Sequence, residues 1–194
     1  MYRFSAFLFT LFLLTGALNA QILPKGNVFV GYSYNRAGTS QPSAFNTDRN
    51  NLNGWEGSLE GKFLPFIGIV GDVSGHYGSM TIAAPIVCPL PVPQCSPIHQ
   101  DVKEYNFLFG PRVSVSVGKV RPFAHALFGA AHINLNGSGT SNSDTSFATA
   151  IGGGIDYHLL PLLGWRVQGD YLQTRFFSNK QNDFRFSTGL VLNF

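Results

Sequence analysis

The final eleven residues of the chain, Phe184 to Phe194, alternate large apolar with small or polar side chains and stop on an aromatic. Successive side chains of a strand point to opposite faces, so this period of two describes a strand with two unlike faces. One face carries Phe184, Phe186, Leu190, Leu192 and Phe194 and is too apolar to meet water. An isolated strand cannot cover such a face, and its unpaired backbone would have no partners. The rest of the chain must supply both.

The amino terminus supplies an address. Met1 to Ala20 holds one positive residue, Arg3, then a run from Phe4 to Leu14 in which only Ser5 and Thr10 are polar, then the small-residue segment Thr15 to Ala20. Residues 1–20 are expected to be a secretory signal peptide, because the apolar core is too short to span a bilayer. Cleavage after Ala20, or alternatively after Ala17, leaves one expected domain over residues 21–194. The formal charge of +3, or +2 without Arg3, is too small and dispersed for nucleic acid. Only 12% of residues are charged, about half of what a soluble surface carries. Yet no segment after residue 20 approaches the roughly 18 uninterrupted apolar residues of a membrane helix. An exported, charge-poor chain without spanning helices has one other way to live in lipid, a closed β-barrel that satisfies every backbone group between strands.

Eight alternating segments fit that requirement. They lie near 27–36, 53–63, 67–78, 102–117, 122–135, 146–159, 165–175 and 184–194. In the second, Trp55, Leu59 and Phe63 alternate with Glu56, Ser58, Glu60 and Lys62; in the fourth, Tyr105, Phe107 and Phe109 alternate with Glu104, Asn106 and Gly110. The fifth sets Phe123, Leu127, Ile133 and Leu135 against Ala124, Ala126, Phe128, Ala130 and His132. Connections at 37–52, 79–101, 136–145 and 176–182 are long or polar, whereas 64–66, 118–121 and 160–164 are tight. Counted up and down, the long loops share one rim and the tight turns the other, the asymmetry of outer-membrane barrels. The fold class expected is all-β, an eight-stranded antiparallel up-and-down transmembrane β-barrel.

Residue size and charge assign the faces. A soluble lipocalin-like barrel would put its charges in water and its bulk around a ligand. Here Glu56, Glu60, Asp72, Glu104, Asp156, Asp170 and Asp183 share the face that holds Gly, Ala and Ser, as a narrow lumen needs. The bulky set, including that of the fifth strand, is therefore expected to face lipid, with aromatics at both interfaces.

A buried charge survives only when paired and hydrogen-bonded. The acids Glu56, Glu60, Asp72, Glu104, Asp156 and Asp170 are thus expected to form a lumen network with Lys62, Arg112, Arg166 and Arg185. That network reads as a salt-bridged plug, or alternatively as a gate whose pairs exchange. Cys88 and Cys95 bracket a proline-rich tip in the longest loop and are expected to form a disulfide in an oxidising periplasm. Two thiols with His99 do not make a tetrahedral metal set. His76 and Ser74 lie two apart on one strand, and His132 on another, but no third group completes a catalytic triad. Gly152-Gly153-Gly154 sits inside a strand with no helix after it, which rules out a phosphate-binding loop. No catalytic, metal or cofactor site is expected.

With leader, eight segments, alternating loops and terminal Phe194 assembled, the mature chain resembles the small outer-membrane barrel family typified by the OmpA transmembrane domain and OmpX. The closing strand from Phe184 to Phe194 is the most specific match, and the resemblance implies that Phe194 is read by the barrel-insertion machinery. It implies a monomer in the outer membrane of a Gram-negative-type bacterium, surrounded by outer-membrane lipid. Segments 37–52 and 79–101 are the expected contact surfaces for an extracellular ligand, since rigid scaffolds carry function on loops. Adhesion, surface interaction or envelope integrity is the leading function, a narrow pore the second and an outer-leaflet lipid-modifying enzyme the third.

Overall fold

The computed structural model describes residues 25–36, 51–82, 98–137, 140–176 and 180–194. The leader expected over 1–20, Cys88, Cys95 and most of segments 37–52 and 79–101 lie outside them. Eight strands run through the described residues: β1 (Gly26–Arg36), β2 (Asn51–Lys62), β3 (Ile67–Ile82), β4 (Ile98–Ser114), β5 (Val120–Gly137), β6 (Thr140–His158), β7 (Leu163–Thr174) and β8 (Gln181–Asn193). Each pairs antiparallel with its neighbour in sequence, and β1 also pairs with β8 to close the barrel. The closed, eight-stranded up-and-down barrel is the one the alternation predicts.

Closure depends on a close approach. Gly31 of β1 stands opposite Gly189 of β8, and a Cβ on Gly189 would lie 2.3 Å from the Gly31 Cα and from the Val30 carbonyl oxygen. At the other rim the chain reverses at Gly118, whose φ of 61° suits a residue without Cβ, while Val117 and Val120 pair across the turn.

The outer wall is apolar. Val30, Leu59, Ile69, Phe107, Ile151 and Leu190 each expose more than half of their surface, an arrangement that water would penalise and hydrocarbon accepts. On β6 the exposed apolar stripe runs from Phe147 to Tyr157, about 33 Å of strand and, at a tilt near 40°, about 25 Å of height. That is the apolar band of a transmembrane barrel.

Two expectations change. β5 is turned over: Phe123, Leu127 and Ile133 are buried in the lumen with Arg121 and His125, while Ala124, Ala126, Phe128 and Ala130 face outward. Alanine is apolar enough for lipid, so β5 has two apolar faces, and bulk alone picked the wrong one. The second change concerns 136–145, expected to be a loop. Its ends continue the ladder, with Asn136 opposite Ser141 and Gly137 opposite Thr140, and only 138–139 lie outside the described residues. Polar side chains on both faces suit a hairpin that has left the bilayer.

That extension is shared. β3 pairs with β4 up to Ile82↔Ile98, and β4 with β5 up to Gln100↔Gly137. β2 leaves β3 after Asn53↔Tyr77, and β7 leaves β6 at Thr149↔Gln173. Strands β3 to β6 therefore project as a four-stranded sheet beyond the barrel rim, on the long-loop side. Beneath it the lumen is capped by an apolar cluster that includes Leu52, Val102, Ile133, Leu172 and Phe176.

Candidate functional site: the filled lumen

Strand register builds the polar interior below that cap. Asp156 of β6 stands directly opposite both Arg121 of β5 and Arg166 of β7, and Asp170 of β7 opposite Arg185 of β8. At these inward positions the register delivers a charge to its complement on the next strand. Arg166 grips Asp156 with two nitrogens, Nε to Oδ1 at 2.6 Å and Nη2 to Oδ2 at 2.9 Å. Arg121 Nη2 lies 3.1 Å from Asp156 Oδ2 and 3.4 Å from Glu60 Oε2. Glu60 also receives Arg112 Nη1 at 3.3 Å and the Asn27 amide. The Phe123 ring lies between two guanidinium groups, 4.3 Å from Arg112 and 4.7 Å from Arg166, which explains why the lumen accepts a phenylalanine there.

A second knot forms around Arg185. Its Nε and Nη2 donate to Asp170 Oδ2 at 2.9 and 2.7 Å, and its Nη1 donates to Asp72 Oδ1 at 2.8 Å and to Ser74 Oγ at 3.1 Å. Glu56 lies 3.6 Å from Arg185 and also accepts from Gln168 and Ser187. His125 ties the knots together. Arg112 Nη2 reaches its Nδ1 at 3.4 Å, and arginine can only donate, so Nε2 carries the proton that goes to Asp170 Oδ1 at 2.7 Å.

The ten residues expected in the network fall into two groups. Glu56, Glu60, Asp72, Glu104, Asp156, Asp170, Arg112, Arg166 and Arg185 are all buried in the lumen. Glu104 sits above the Arg185 knot, opposite His76 and bonded by Asn106 at 2.9 Å. Lys62 stands apart at the turn-side mouth, half-buried and outside every ion pair among the described residues. Arg121, in the segment expected to be a tight turn, also belongs to the network, as does His125. Their signal is their polarity, which the bulk of Phe123 and Leu127 at the same parity outweighs.

His76 meets Ser33, not Ser74: Ser33 Oγ lies 2.9 Å from His76 Nε2 and from Ser187 Oγ. Both Ser33 and His76 are fully buried, and among the described residues His76 Nδ1 has no hydrogen-bond partner. Among the described residues no carboxylate is hydrogen-bonded to that imidazole, as a triad requires. His132 faces outward in the extension and bonds Thr145 at 2.7 Å.

The charges are sorted along the axis. Towards the tight turns lie Arg112, Arg121 and Arg166 against Glu60 and Asp156; towards the long-loop rim lie Glu56, Asp72, Glu104, Asp170 and Asp183 against Arg185. One end of the lumen is basic and the other acidic.

A closed eight-stranded barrel with an apolar outer band and a packed polar interior is the geometry that the comparisons meet. The model of the outer membrane protein beta-barrel domain matches residues 5–194. The chain belongs to that family. As in other members, its strands are transmembrane. Among solved structures, the neisserial surface protein A is 14% identical with a TM-score of 0.63, covering 87% of this chain and 97% of that one. The attachment invasion locus protein Ail of Yersinia pestis, solved with the heparin analogue sucrose octasulfate, is 17% identical with a TM-score of 0.56, covering 88% and 100%. The outer-membrane protease OmpT of Escherichia coli is 9% identical with a TM-score of 0.51, covering 89% and 97%. These likenesses concern the fold, and an adhesin-type barrel and a protease both share it. Comparison with the curated proteins found no match.

Proposed function

We propose that this protein is a non-catalytic surface-interaction scaffold of the outer membrane, of the adhesion or envelope-integrity class. The projecting β3–β6 sheet carries the reading. Ladder pairs above the apolar band, such as Asn134↔Ser143 and Asn136↔Ser141, form a polar platform held by the barrel and continuous with segment 79–101. Building rigid structure beyond the bilayer has no use in anchoring, and it holds a contact surface at low conformational cost. The interior supports the same reading, because ion pairs and the apolar cap fill the space a solute would cross. The buried, unoriented Ser33–His76 pair argues against lipid hydrolysis.

Two measurements on one reconstituted sample test this. In planar bilayers the protein is expected to give no steady conductance; discrete ion-selective openings would sink the scaffold reading in favour of a narrow pore. The same vesicles are expected to release no fatty acid from phospholipid or lipopolysaccharide, and release that depends on His76 would instead make it an enzyme. On cells, replacing Asn134–Ser143 by a short Gly-Ser turn is expected to leave the barrel folded and abolish attachment to host-cell or matrix surfaces, or the resistance of the envelope to detergent. A variant that retains both overturns the platform's role.

A further inference from the structure

The turn-side mouth of the barrel opens into a vestibule of about 840 Å³. Lys25, Lys62, Arg121 and His158 line it, and no aspartate or glutamate side chain does so among the described residues. Lys62 and Lys25 are neighbours, joined by a hydrogen bond from Lys62 N to the Lys25 carbonyl at 2.8 Å, and among the described residues neither ammonium is in an ion pair. Arg121 forms the floor. It is 6% exposed, and its Nε has no acceptor although its Nη2 is committed to Glu60 and Asp156. Asn193 adds a second orphaned donor: its Oδ1 accepts from Arg121 Nη1 at 3.4 Å, leaving a buried Nδ2 with no partner. A buried donor left unmet costs free energy that an acceptor would recover.

The walls differ from the floor. Phe63, Leu64 and Leu162, in the tight turns, are each more than half exposed. Apolar turns do not stand in water at the end of a barrel; they sit in the interfacial layer, where lipid phosphates also stand. The mouth therefore offers three cations at phosphate depth, with two unmet N–H donors buried in the lining residues Arg121 and Asn193, beside an apolar lip.

We propose that this vestibule is a phosphate-binding site, occupied by a phospholipid headgroup of the turn-side leaflet or by free phosphate. Lys25 and Lys62 supply charge from the rim, while Arg121 Nε and Asn193 Nδ2 donate from below. A tetrahedral oxyanion with several acceptors satisfies this mixture better than a carboxylate with two oxygens.

The test uses the full chain, 15N-labelled, in non-ionic detergent micelles that contain no other phosphate. Inorganic phosphate is titrated in one arm and short-chain phosphatidylglycerol in the other, with the amides of Lys62, Arg121 and Asn193 as the readout. Saturable shifts confined to the turn-side mouth are expected in at least one arm, and the responding arm identifies the source. The double variant Lys25→Gln, Lys62→Gln is expected to weaken binding about tenfold, whereas Lys119→Gln, on a turn outside the lining, leaves it unchanged. The gel shift on heating confirms that each variant is folded. Linear, unsaturated shifts in both arms, or equal binding by the double variant, would overturn the proposal.

Discussion

At the scale of single residues, the interior is organised by arginines that serve several acids at once. Arg185 holds Asp170, Asp72 and Glu56 together, so its removal leaves three buried carboxylates without their shared cation. Breaking a buried ion pair by deleting one partner costs about 3–5 kcal/mol, because the charge left behind keeps its desolvation penalty. Arg185→Leu is expected to lower the free energy of unfolding from lipid vesicles by that amount in a urea titration. Arg185→Lys should recover part of it, since an ammonium restores charge but not the two-pronged contact with Asp170. A loss under 1 kcal/mol for the leucine variant would mean the knot adds little to stability.

At the scale of elements, β5 is the instructive strand. Strands β1, β2, β7 and β8 could be oriented from sequence because their inward sides are polar, as in Glu56, Ser58 and Glu60 of β2 or Arg166, Gln168 and Asp170 of β7. On β5 the lumen is locally apolar, because Leu127, Ala131 and Ile133 belong to the capping cluster. Size then points the wrong way, while the polar side chains of Arg121 and His125 point correctly. For the site, inward parity was legible at Glu60, Arg112 and Asp170, but cross-lumen partners such as Arg185 with Asp72, 113 positions apart, were not. Those partnerships depend on the stagger and diameter of the closed sheet, which no local pattern encodes. The orientation of β5 can be measured in a background with Cys88 and Cys95 replaced by serine. A fluorophore on Ala126→Cys is expected to be quenched by nitroxide lipids, and one on Leu127→Cys to be protected. The reverse pattern would restore the orientation that size suggests.

At the scale of the whole molecule, the two rims differ in reach. The β3–β6 sheet extends past one mouth, and short turns close the other. With the sheet outside, Ser143→Cys in the same cysteine-free background is expected to react with an impermeant maleimide on intact cells. Lys119→Cys, in a tight turn, is expected to react only after the outer membrane is permeabilised. Labelling of both positions on intact cells would contradict a single orientation.

The axial sorting of lumen charge has a consequence of its own. A basic segment in series with an acidic one resembles a semiconductor junction: the first half is expected to repel cations arriving from the turn side, and the other half anions arriving from the loop side. Loosening any one ion pair widens the path but leaves the opposed fields standing. Charged solutes are thus expected to meet opposed fields even where the side chains pack less tightly.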